Sequence, residues 1–122
     1  RSVRDIQPLG GKPLLRLYAR VGTLQDSKAS PADFIAEVAR MRCGAVLCCL
    51  APSANPDHPD RLPDAQAYLA AFKTAGWRIC SIAVLGQNGG GVRSPHLLQF
   101  PQAPIAPINQ TARAVRAHFG WE

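Results

Sequence analysis

A chain of 122 residues, 47% hydrophobic and 18% charged, is long enough for one domain with its own core and too apolar to be disordered. No apolar run approaches the roughly 18 residues that cross a bilayer, and the opening RSVRDIQPLGGK lacks the apolar centre of a signal peptide. The net charge of +6 is scattered over Arg16, Arg20, Arg40, Arg42, Arg113 and Arg116 and makes no dense basic arm, so no specific nucleic-acid partner and no membrane is expected.

Residues 1–12 are expected to form a linker and residues 13–122 a single domain, and with no initiator Met the chain is expected to be a cut piece of a longer protein. In Leu14–Val21, Leu15, Leu17, Ala19 and Val21 alternate with Arg16, Tyr18 and Arg20, the pattern of a half-exposed strand. After a polar loop, Ser30-Pro31-Ala32-Asp33 supplies an N-cap, a first-turn proline and a carboxylate at the positive end of a helix dipole. Phe34, Ile35, Val38 and Met41 form the apolar face of that helix, and Gly44 is expected to end it. Ala45–Leu50 is an uncharged run suited to a buried strand.

The loop Ala51–Leu62 is rich in proline and turn-forming residues, and a second helix is expected to start at Pro63 and bury Ala65, Tyr68, Leu69 and Phe72. Gly76 suits its C-terminal cap, and Arg78–Leu85 is the third strand. Gly86–Gly91 is a glycine-rich loop. Ser94-Pro95 repeats the earlier helix start, so Pro95–Phe100 is expected as a short helix, although periodicity fits a strand equally well. Ala103–Ile108 suits an edge strand, and Asn109 caps a last helix with Ala112, Val115 and Phe119 inward. The βα alternation predicts an α/β fold with a mostly parallel sheet of roughly four to five strands.

Open α/β sheets bind ligands beyond the C-terminal ends of their strands. That rule singles out Ser53, Ala54 and Asn55 after the second strand, and Asn88, Gly89, Gly90 and Gly91 after the third, as candidate phosphate-binding positions. GQNGGG has neither the Lys-Ser/Thr of a P-loop nor dinucleotide-fingerprint spacing. Asp57 and Asp60 flank His58 in a proline-rich turn, and His96 and His118 have no partners at metal spacing, so no catalytic set and no metal site is expected. Cys43, Cys48, Cys49 and Cys80 form no CxxC and read as small hydrophobes in a reducing, cytoplasmic setting.

The order SPADFIAEVARM, GAVLCCLAP, NPDHPDRLPDAQAYLAAFKTAG, WRICSIAVLGQNGG, APIAPI and QTARAVRAHFGW resembles the succinyl-CoA-ligase-like domain of NDP-forming acyl-CoA synthetases and related lysine acetyltransferases. The resemblance implies a three-layer flavodoxin-like or Rossmann-like domain within a multidomain ligase, with neighbouring domains as partners. It implies no firmly bound cofactor, with CoA or nucleotide possible in the parent protein, and no catalysis by the domain alone. The opening KPLLRL lacks the family's Asn and Asp, and Ser53, Ala54 and Asn55 replace a loop that is glycine-rich in the ligase.

Two other resemblances stand beside it. Tyr18–Thr23 (YARVGT) is similar to the opening strand of serine recombinases with Gly22 in place of the nucleophile, which implies a catalytically dead domain. Residues 44–119 resemble the second half of a phosphosugar-binding sugar-isomerase domain, with Pro52–Asn55 in place of its Ser-rich phosphate loop. Pro95–Phe100 separates these readings. The ligase resemblance implies a helix there, the sugar-isomerase resemblance a sheet strand.

Overall fold

The computed structural model describes residues 2–103 and 108–121. β1 (Ser2–Ile6) and β2 (Leu15–Thr23) form an antiparallel hairpin in which Ile6 faces Leu15. Gly10 and Gly11 turn its loop at φ 84° and 71°, and Gln7 Nε2 donates to Lys12 O at 3.0 Å. The segment expected as a linker therefore contains an edge strand. β3 (Ala45–Cys49) pairs with the other edge of β2 in parallel, Leu17 beside Ala45, giving the order β1-β2-β3. The β2–β3 register slips between Ala19 and Thr23, where Gly22 takes φ 81°.

Between β2 and β3 runs α1 (Pro31–Met41), started as its sequence dictates. Ser30 Oγ accepts from Asp33 N at 3.1 Å, and the Asp33 carboxylate accepts from Ser30 N at 3.3 Å, which closes a capping box. The left-handed C-cap is Arg42 at φ 52°, and Gly44 instead donates its N–H to Arg16 O at 3.1 Å as β3 begins. In α2 (Ala65–Thr74) the N-cap is Asp64, accepting from Ala67 N at 3.0 Å, so Pro63 lies outside the helix. Gly76, at φ 91°, follows its C-cap as expected.

The core lies where both helices meet the first sheet. Tyr18, Leu24, Phe34, Tyr68 and Phe72 are buried together, with Val46 and Cys48 of β3 packed against them. Phe72 stacks on Trp77 at 4.6 Å, and Phe34 meets Phe72 at 5.9 Å. The alternation of β2 leaves open which row faces the core, and both rows contribute, since Leu17 is buried as well. Tyr18 and Arg20 are buried beneath the helices, whereas Val21 is 85% exposed. A carboxylate on α1 makes the inward arginine tolerable, as described below.

The remaining strands form a second, parallel sheet: β4 (Ile82–Leu85) beside β5 (Leu97–Phe100), in register from Ile82↔Leu97 to Leu85↔Phe100. The expected helix over Pro95–Phe100 is thus a strand. Ser94 does begin a turn, its Oγ accepting from His96 N at 3.1 Å and its carbonyl from Leu97 N at 3.2 Å. Pro101 cannot continue a helix, and the four residues gain a ladder along β4 instead. The third strand also starts later than expected, because Trp77 and Ile79 pack on the aromatic core before the ladder begins.

α3 (Ile108–Phe119) packs against β4, and His118 lies edge-on to Phe100 at 6.3 Å. It begins one residue before Asn109, and Ala112 is exposed rather than inward. The expected edge strand at Ala103–Ile108 falls mostly outside the described residues. The fold is α/β, with one mixed three-stranded sheet and one parallel two-stranded sheet among the described residues, in place of a continuous sheet of roughly four to five strands.

Candidate functional site

Behind the loop that follows β3 stands Gln25, 2% exposed. Its Nε2 donates to Ala51 O at 3.0 Å and Pro63 O at 3.1 Å, and its Oε1 accepts from Ala51 N at 2.9 Å. One amide thus ties both ends of the Ala51–Pro63 excursion to the body of the protein. Asn55 continues the work, donating from Nδ2 to Gln25 O at 3.2 Å and accepting from Asp57 N at 2.9 Å. The second contact is an Asx turn of the kind that orders proline-rich loops.

The loop after β4 folds onto this one. Asn88 Oδ1 accepts from Gly90 N at 2.9 Å, and Gln66 Nε2 of α2 donates to Gly90 O at 2.7 Å. A Cβ on Gly90, which takes φ 64°, would sit 2.7 Å from Pro52 O. One on Gly91 would sit 2.5 Å from Gln66 Nε2. Close packing against the Pro52 backbone thus requires glycine at position 90, whereas at position 91 the end of the Gln66 side chain can move and the φ of 75° is what favours glycine.

Of the positions singled out from sequence, Pro52–Asn55 and Asn88–Gly91 do meet, through Pro52 and Gly90. Ser53 is exposed beside that contact, and Ala54 and Gly89 are half-buried. The side chains of Asn55 and Asn88 already hold the shapes of their own loops. What the seam presents to solvent is therefore the Ser53 hydroxyl, the exposed Asn88 amide and backbone.

A polar cluster that the sequence reading missed lies under α1. Arg20 Nη1 donates to Glu37 Oε1 at 2.9 Å and Oε2 at 3.0 Å, and Tyr18 OH donates to Oε2 at 2.7 Å. The guanidinium also sits 6.0 Å from the Phe34 ring centroid. The signal was present as a polar row on β2 with Glu37 on the next helix, but alternation alone does not say which row faces inward. Nearby, burial foremost, with Cys49 adding and Arg20 opposing, pushes the Cys48 thiol up to about 12. Such a thiol stays protonated and is no nucleophile.

No cluster of three or more His, Cys, Asp or Glu suited to a metal ion occurs among the described residues. No helix among them is long and apolar enough to cross a membrane. No family model, curated protein or solved structure matches the chain.

Proposed function

We propose that the chain is a phosphate-ester-binding α/β domain of the phosphosugar-binding kind, holding its ligand at the Pro52–Gly90 seam without bond chemistry of its own. The observation that carries this reading is β5. Leu97–Phe100 runs parallel to β4, as the sugar-isomerase resemblance implies, where the ligase resemblance implies a helix. The meeting of the loops after β3 and β4 supports it further, because it gathers two strand-end loops and the exposed Ser53 hydroxyl beyond the C-terminal ends of the strands, where α/β folds hold ligands. A place beside neighbouring domains of an acyl-CoA synthetase, with CoA or nucleotide as parent cofactors, is the second reading, supported by element order. The free cysteines Cys43, Cys48, Cys49 and Cys80 fit a reducing, cytoplasmic setting for either.

An NMR titration separates the two. Glucose 6-phosphate is expected to shift the amides of Ser53–Asn55 and Asn88–Gly91 together, at concentrations where CoA and ATP do not. Shifts caused by CoA alone would favour the ligase reading. Shifts confined to dispersed arginines would overturn both.

A further inference from the structure

At the opposite end of β4, beside the start of β5, lies an open cleft of about 310 Å³. Its wall is formed by the end of α2 and by the segments that enter β4 and β5, so it faces away from the Pro52–Gly90 seam. Lys73, Arg78 and Arg93 line it together with Ser94 and His96, and Trp77 is part of its apolar lining. No carboxylate lines it. Among the described residues the ion pairs are Arg20–Glu37 and Arg61–Asp33, so the three cations of the cleft have no acidic partner there.

We propose that this cleft binds a small ligand carrying two or more phosphate charges. Three like charges around one concavity repel one another, and an anion bound among them relieves that repulsion. Arginine and serine supply the donors that phosphate oxygens accept, and lysine supplies a mobile point charge. The volume is at the lower end of the range for small-molecule sites, about 300–1,000 Å³, and suits a compact ligand better than a polymer. Trp77 is held by its stack on Phe72 and gives the cleft a rigid apolar wall for the ligand's organic part. The site uses none of Ser53–Asn55 or Asn88–Gly91, so it stands or falls independently of the function proposed above.

The test is a titration of the whole chain with inorganic pyrophosphate at fixed ionic strength, following the Trp77 indole N–H and the His96 ring by NMR. Saturable shifts at both are expected, with at least tenfold weaker binding in Arg93→Gln and Lys73→Gln and less than a twofold change in Arg40→Gln, which lies outside the cleft. Unchanged thermal unfolding of Arg93→Gln shows that the loss is one of binding. Absent or unsaturable shifts, or equal weakening by Arg40→Gln, would mean diffuse charge attraction and overturn the proposal. Tighter binding of a single-stranded RNA oligomer or of phosphoinositide vesicles than of pyrophosphate, at equal ionic strength, would overturn the small-ligand assignment. Shifts at Asn88–Gly91 alone would leave the seam reading standing and remove this one.

Discussion

The Arg20 guanidinium lies 2.9 Å from the Glu37 carboxylate, joining β2 to α1 through side chains only 6% and 17% exposed. A pair so sheltered is costly to halve, since removing one partner strands the other charge away from water. Glu37→Ala is therefore expected to lower unfolding stability by about 3–5 kcal/mol, read as a shift of the urea midpoint. The double substitution Arg20→Met with Glu37→Leu should recover most of that loss. A cost below about 1 kcal/mol for Glu37→Ala would place the pair among ordinary surface ion pairs.

Gly90 and Gly10 have similar left-handed backbones, φ 64° and 84°, in very different surroundings. An added Cβ at Gly10 meets nothing within 4 Å, whereas at Gly90 it runs into the backbone of Pro52. Alanine at either site incurs about 1–2 kcal/mol of conformational strain. Only Gly90→Ala should exceed that figure and shift the amides of both loops. Equal costs for the two variants would show that the seam does not form in solution.

How much of this was legible beforehand depended on whether the deciding interaction was local. The start of α1 was fully readable, because Ser30, Pro31 and Asp33 act on backbone groups within one turn. Pro95–Phe100 was not, because Ser94-Pro95 begins a helix and a one-turn bend with the same chemistry, and only β4 alongside decides between them. The inward turn of Arg20 was hidden for a related reason: its burial depends on Glu37, seventeen residues on and on another element. Of the seam, the loops could be placed from strand order. That Asn55 spends its Nδ2 on the Gln25 carbonyl, thirty residues back, required the three-dimensional partner, whereas the turn of Asn88 onto Gly90 is local.

Cys48 is expected to make the fold sensitive to alkali. Its thiol is raised by burial from an ordinary 9.0 to about 12, so the protonated form is the one the native state favours. The stability this provides is fully present below pH 9 and is lost as pH rises toward 12. Tyr68 and Cys49, also raised by burial, act in the same direction. Denaturant midpoints measured from pH 8 to 11 should fall less steeply in Cys48→Ala than in the parent chain. In thiol labelling of the native protein, Cys80 should react well before Cys48. An equally steep fall in Cys48→Ala would place the alkaline sensitivity elsewhere.

Gln25 carries a larger burden than its size suggests. Gln25→Leu keeps the bulk but leaves Ala51 N–H, Ala51 O and Pro63 O without their side-chain partner. A buried polar group stranded in this way costs about 1–3 kcal/mol, so a total loss of 2 kcal/mol or more is expected. Hydrogen exchange in Ala51–Leu62 should accelerate more than exchange in α1. Uniform acceleration across the chain would mean that the loop is held by other means.

His118 places one ring nitrogen, Nε2, 2.9 Å from Ile82 O and 3.0 Å from His96 O. Both neighbours are acceptors, so that nitrogen must carry the hydrogen, and a single N–H straddles the entrances of β4 and β5. The imidazole thereby works as a gauge of the gap between two strands. Anything that displaces His96 from the basic cleft changes one arm of that fork, and the nitrogen resonance of His118 would register the change.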